Sequence, residues 1–328
     1  MKNYTLEIKL LFEFFNDEVT NIAETRKFTY QEFQYCEPCS GICVIFLPDF
    51  MVRFQNIICE NLDQAILILS KILPNICEAL SIMIQIETGE NIKYHPYLSF
   101  NIADIKVIGS TDLPEKPRIM EKGNYNQIFM KDSIGFRESL SLTVTYSLPF
   151  DWFGPLYEAA NQRLDFFKNV LYRAIRCRDV ESKYFTLFTM IEYIEAKEKN
   201  GTLIETHRLM DDSDIKIFEE RFSDLFACKE KSGMDNLYSR LKQILKSATV
   251  ETRAEKLCSV IRNKYEITGI TRSLINYEIT KDKMNEFIAA RNELFHGSEA
   301  GKKSELIQLS NELLFLCLKI LEKEIKIV

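Results

Sequence analysis

The sequence predicts an α+β protein in two parts: a β-rich, mainly antiparallel domain over residues 1–152, followed by an all-α helical bundle over 153–328. Three observations carry that prediction. Before Pro155 the chain breaks into short runs that alternate apolar with polar residues, the period of a half-buried strand. All eight prolines lie at or before Pro155, so nothing downstream forbids long helices. The segments beyond it carry apolar stripes at helical spacing instead.

Strands are expected over Tyr4–Phe15, Cys43–Ile58 around Pro48, Asn101–Ile108 and Leu140–Leu148. Turn residues such as Gly89, Gly109, Pro114, Pro117, Gly123 and Gly135 separate them. Leu62–Leu73 (LDQAILILSKIL) has helical spacing and is expected to pack on the sheet. Helices follow at 156–178, 181–199, 214–228, 234–248, 251–264, 281–296 and 302–325. The last repeats leucine so densely, from Leu306 to Ile320, that it should be central to the bundle or lie in a subunit interface.

With 46% hydrophobic and 27% charged residues the 328-residue chain has ordinary globular composition, which excludes collagenous, fibrous and disordered classes. Its net charge of −6 is unevenly distributed. Residues 1–154 hold 13 Lys and Arg against 20 Asp and Glu, a net of −7, leaving 29 against 28, a net of +1, in 155–328. The acidity belongs to the β-rich part, and any polyanion should meet the helical part. The N-terminus lacks the basic, apolar and small-residue pattern of a secretory signal, so a cytoplasmic location is expected. Lys71, Pro74, Asn75 and Glu78 interrupt the most apolar stretch, Ala65–Ile86, so no membrane span is expected. Nine cysteines, an odd number, suit a reduced protein. Cys36, Cys39 and Cys43 form a C-x2-C-x3-C cluster, and clustered thiolates can hold a metal, yet His95 is the only histidine in this part and no fourth ligand is evident. No metal or cofactor is therefore assigned, and whether these thiols bind one stays open.

The richest segment for chemistry is Ile279–Ser298, ITKDKMNEFIAARNELFHGS. Thr280 is a natural N-cap and Gly297 a natural C′ residue, which delimits about four helical turns. Met284, Phe287, Ile288, Leu294 and Phe295 form one stripe, with Arg291 in its middle. A buried unpaired charge costs several kcal/mol, so Arg291 should face an ion pair, a subunit interface or an anionic ligand. His296 lies five residues on, and Asn292 shares the histidine's side of the helix. A fixed cation, an amide and a group titrating near neutral pH suffice for metal-free phosphodiester cleavage, in which histidine moves a proton and arginine steadies the phosphorane-like charge. A histidine in a last helical turn also complements the macrodipole, and an arginine can snorkel out of a stripe.

Arg291-Asn292-Glu293-Leu294-Phe295-His296, followed by glycine, has the form R-N-x3-H near the end of a helical region. It resembles the HEPN superfamily (higher eukaryotes and prokaryotes nucleotide-binding), whose hallmark is R-x4-6-H. The order of parts is similar to ApeA-type HEPN proteins of bacterial anti-phage defence; the HEPN likeness covers about 156–325, and that of the first 150 residues rests on order and size. The resemblance implies a metal-independent endoribonuclease of abortive infection, a homodimer through the helical domain whose subunits both contribute Arg291 and His296 to one cleft. It implies that RNA is the substrate, that a cyclic phosphate end is left, and that the N-terminal domain senses a phage-derived trigger. The family often adds an E-x3-K-R pattern on an earlier helix. Glu195 and Lys199 match its first part, Asn200 stands where arginine would be, and Glu192 is the competing acid; either glutamate can equally be a solvated helix-face charge.

Basic side chains for an RNA-binding wall come first from Arg173 and Arg176, one turn apart, with Arg178 and Lys168 beside them. Arg262 and Lys264 are a second choice, and a solvated face explains these groups as well. His207 lies in a polar connection without an evident partner, and no G-x-S-x-G, P-loop or G-x-G-x-x-G is present. A non-catalytic HEPN module for dimerisation or nucleotide or RNA binding is the alternative.

Overall fold

The structure is a computed structural model. It describes residues 1–13, 25–30, 32–38, 40–88, 95–112, 143–148, 150–158, 161–200, 252–272, 275–295 and 303–327, with scattered positions between 213 and 243. The chain divides into two compact units, Met1–Arg178 with Glu324–Val328, and Asp179–Lys323. The expected boundary at 152/153 falls inside the first unit, which keeps the helical segments up to Ile175 together with the sheet.

The first unit is built on a five-stranded antiparallel sheet. Its strands are β1 (Lys2–Lys9), β4 (Phe33–Cys36), β5 (Cys43–Leu47), β6 (Met51–Cys59) and β8 (Lys106–Asp112), in the order β4-β5-β6-β1-β8. Two further pairs are β2 (Leu11–Glu13) with β7 (Tyr97–Ser99), antiparallel, and β3 (Thr25–Thr29) with β9 (Thr143–Ser147), parallel. Alternation works as the sequence suggests: Tyr4, Leu6 and Ile8 of β1 are buried between more exposed neighbours. On β6 the buried set Val52, Phe54 steps by three to Ile57, because the register shifts between Tyr4 and Leu6 and Asn56 takes φ 64° in the bulge. Of the expected strand Asn101–Ile108, residues Ile102–Asp104 form a 3-10 turn capped by the Asn101 side chain, and the strand starts only at Lys106.

The β5–β6 turn puts Asp49 and Phe50 at φ 59° and 56°. Phenylalanine rarely adopts that conformation, and here neighbours hold it. The Tyr30 hydroxyl accepts the Phe50 N–H at 2.8 Å and donates to the Leu47 carbonyl at 2.5 Å, and burial pushes it up to about 12. From Phe50 a run of touching rings continues through Tyr30, Phe150, Phe33, Phe46 and Phe153 to Tyr157, with Phe46 and Phe153 meeting edge-on at 4.6 Å. Phe46 and Phe153 are fully buried, and each such side chain contributes roughly 1.5–3 kcal/mol of burial.

Helix α1 is Leu62–Thr88, much longer than Leu62–Leu73, because it continues through Pro74. Pro74 and Asn75 are exposed, so the carbonyl that loses its partner lies on the solvent side. This helix is long and apolar enough to cross a membrane, yet 61% of its most apolar window is buried. It packs on β6, β7 and the two helices that replace the expected 156–178, namely α2 (Phe153–Glu158) and α3 (Gln162–Ile175). Asn161 caps α3 through Leu164 N–H, which explains a separate start there.

The second unit contains α4 (Val180–Asn200), α5 (Arg253–Asn263), α6 (Lys281–Phe295) and most of α7 (Lys303–Ile327). It is not all-α. Gly269–Arg272 (β10) and Ile275–Glu278 (β11) form an antiparallel hairpin between α5 and α6, in which Ile270 and Ile275 turn inward. Helix α7 is buried around its whole circumference from Ser310 to Leu318, as its composition predicts. Polar ties fix the helices: Lys183 Nζ donates to Asn311 Oδ1 at 2.9 Å, and the Tyr184 hydroxyl donates to the Phe287 carbonyl at 2.8 Å. The helices expected at 214–228 and 234–248 lie largely outside the described residues.

Candidate functional site

Three helices of the second unit converge on one group of charges. Asp179 accepts the Ser182 N–H at 2.7 Å and starts α4, which carries Glu192 and Glu195 one turn apart. Thr252 starts α5 with a capping box: its hydroxyl accepts the Glu255 N–H and the Glu255 carboxylate accepts the Thr252 N–H. Thr280 starts α6 by accepting the Lys283 N–H at 3.2 Å, as its sequence predicts. These starts, with the Tyr184 tie, bring Glu192, Glu195, Arg253 and Arg291 together.

Arg291 meets the first of the three expected fates, an ion pair. Its Nη2 lies 3.0 Å from Glu192 Oε1, its Nη1 donates to Asn292 Oδ1 at 3.4 Å, and its guanidinium stands over the Phe295 ring at 5.1 Å. Arg253 donates to Glu195 Oε2 from Nε at 2.9 Å and from Nη2 at 2.8 Å, and that Nη2 is 3.8 Å from Glu192 Oε1. Its guanidinium stands over Phe188 at 5.6 Å. Two arginines and two carboxylates thus alternate in one chain of charges. Its members differ in exposure: Glu195 is 13% exposed, Arg253 34%, Glu192 38% and Arg291 26%. An arginine in a first helical turn opposes the macrodipole, so Arg253 depends on these carboxylates for its place.

Next to it, Lys281 Nζ binds Glu255 Oε1 at 2.7 Å. That ammonium, with the Thr252 N–H and hydroxyl, holds the Glu255 carboxyl down at about 2.

The expected residues are distributed unevenly. Arg291, Asn292 and the competing acid Glu192 come together, and Glu195 joins through Arg253 rather than through Arg291. Lys199 is on α4, but its side chain, like His296, Gly297 and His207, lies outside the described residues. The apolar stripe of α6 is buried only at Met284 and Phe287; Phe295 is 66% exposed because it ends the helix and supports the guanidinium instead of the core. Arg253 is the residue that sequence reasoning missed. The T-x-x-E box at Thr252–Glu255 marks a helix start, and an arginine just inside it, where cations are disfavoured, was the available signal.

Arg173 and Arg176 belong to the first unit and are exposed at the end of α3, where the Arg176 guanidinium stands over Tyr172 and Tyr97 at 5.2 and 5.5 Å. Lys168, expected beside them, is 2% exposed and 3.5 Å from buried Glu78, so it is no part of a basic surface. Arg262 donates to the Ile279 carbonyl at 3.5 Å. His95 is a satisfied core histidine, its Nδ1 2.7 Å from Gln85 Oε1. The thiol cluster is corrected too: Cys36 and Cys43 stand opposite each other on β4 and β5 and form a disulfide, which removes two of the three thiolates a metal would need. Cys59, Cys77, Cys177, Cys258 and Cys317 are outside the disulfide, and among the described residues no group of three or more potential metal ligands occurs. Burial pushes the Cys77 thiol up to about 12 and Cys317 further, leaving both protonated near neutral pH.

No family model, no curated protein and no solved structure matches the chain.

Proposed function

We propose that the protein is a metal-independent endoribonuclease of the HEPN type, acting in anti-phage defence as a homodimer in which Arg291 and His296 of both subunits line one RNA-cleaving cleft. In this reading the ribose 2′-hydroxyl loses its proton and attacks phosphorus, the 5′-oxygen leaves with a proton, and a 2′,3′-cyclic phosphate remains. His296 moves the proton and Arg291 steadies the charge on the phosphorane-like state. The observation that carries it is the meeting of Arg291, part of the R-N-x3-H sequence, with Glu192 on α4 in a cluster open enough for a ligand to reach. Sensing of a phage-derived trigger by the first unit belongs to the same proposal and rests on the resemblance alone.

One observation favours a second reading, a non-catalytic helical module. The Arg291 guanidinium is already engaged within its own chain by Glu192, Asn292 and Phe295. Incubation of purified protein with RNA in EDTA decides between them, with growth arrest on overexpression as the readout for a latent enzyme. The nuclease reading expects both to be lost in Arg291→Ala and in His296→Ala. Equal RNA decay and equal growth arrest by wild type and variants would overturn it, and a monomer at micromolar concentration would overturn the composite cleft.

A further inference from the structure

We infer that Arg291 and Arg253 form a two-arginine clamp for a phosphodiester, and that the Glu192 carboxylate occupies the clamp in the absence of ligand. The inference deepens the proposed function and rests on its assignment of RNA as the ligand. Both Nη2 atoms approach the same oxygen, Glu192 Oε1, at 3.0 and 3.8 Å. The two guanidinium groups therefore already converge on one anionic oxygen, the arrangement that a phosphate oxygen would satisfy equally well.

The two glutamates play different parts. Glu195, 13% exposed, takes two N–H bonds from Arg253 and fixes its direction from the inner side. Glu192, 38% exposed and on the outer side, holds each arginine by a single approach, so it can swing into solvent without disturbing the Glu195–Arg253 pair. The rings of Phe295 and Phe188 under the two guanidinium groups keep them in place when it leaves. Ligand binding then replaces one carboxylate by one phosphate, and Glu192 acts as a competitor. A purely structural ion-pair network predicts the opposite for Glu192, since its removal would loosen the arginines and weaken everything they do.

The test uses the full chain and a fluorescent 2′-O-methyl oligoribonucleotide, which lacks the attacking hydroxyl, together with the all-ribose version for cleavage, both in EDTA. Glu192→Gln is expected to tighten binding of the blocked oligonucleotide about threefold or more, and Arg253→Ala to weaken it about tenfold. Arg253→Ala should also lower the slope of log affinity against log salt by about 0.7, the signature of one lost phosphate contact on a single strand, and Arg253→Lys should restore that slope. Weaker binding by Glu192→Gln, or an unchanged salt slope in Arg253→Ala, overturns the clamp; so does the absence of binding by both wild type and Glu192→Gln. Cleavage of the ribose strand that needs Arg291 but ignores Arg253 and Glu192 would leave the nuclease reading standing and remove the clamp. The expected binding order with neither cleavage by any protein nor growth arrest on overexpression would keep the clamp and remove the nuclease.

Discussion

Each unit contains a set of interacting charges between helices, and the two sets differ in one respect that separates architecture from chemistry. In the first unit Lys168 and Glu78 join α3 to α1 at 3.5 Å and are 2% and 8% exposed. Burial pushes the Glu78 carboxyl up despite the neighbouring ammonium, and its Oε1 is buried without a hydrogen-bond partner. In the second unit the carboxylates and guanidinium groups pair at 2.8–3.8 Å while remaining 13–38% exposed. A sealed pair can only support the fold, because no ligand reaches it and each partner is costly without the other. An open cluster contributes little to stability and keeps its charges available.

The largest effect should come from splitting the sealed pair. Lys168→Met leaves Glu78 as an uncompensated buried acid and should lower unfolding free energy by about 3–5 kcal/mol in urea denaturation, whereas adding Glu78→Gln should recover most of the loss. An exposed-type loss below about 1 kcal/mol for Lys168→Met would erase the contrast between the two sets. Arg253→Ala should cost only about 1 kcal/mol or less in the same measurement, since its charges stay in contact with solvent; a larger loss would make the open cluster architectural as well.

The smallest effect is a pH slope. Glu255 has its folded-state value lowered from 4.5 to about 2, so its contribution is present above about 4.5 and is lost as pH falls towards 2. Glu255→Gln should flatten the acid side of a melting-temperature profile over that window, with little change at pH 7 in that slope. An unchanged profile would mean that the capping box does not hold the start of α5, and with it Arg253.

Much of this was legible along the chain. Period-2 runs located β1, β5 and β6, Thr280 marked the start of α6, and the leucine density of α7 announced its burial from Ser310 to Leu318. Arg291 was conspicuous because an arginine in an apolar stripe needs a partner. What failed did so for definable reasons. Pro74 did not stop α1 because it points to solvent, Asn161 divided one expected helix into two, and the β10–β11 hairpin was invisible between stronger helical signals.

Local pattern thus determined the order of an antiparallel β-rich region and a later helical region, the positions of many of their elements and the arginine that its helix should reject. The tertiary structure decided which charges meet. It chose Glu192 over Glu195 as the partner of Arg291, added Arg253 from a helix 38 residues away in sequence, and paired Cys36 with Cys43. The physical reason is range: propensity, capping and periodicity act within a few residues, whereas an ion pair needs only proximity, and helix packing sets that.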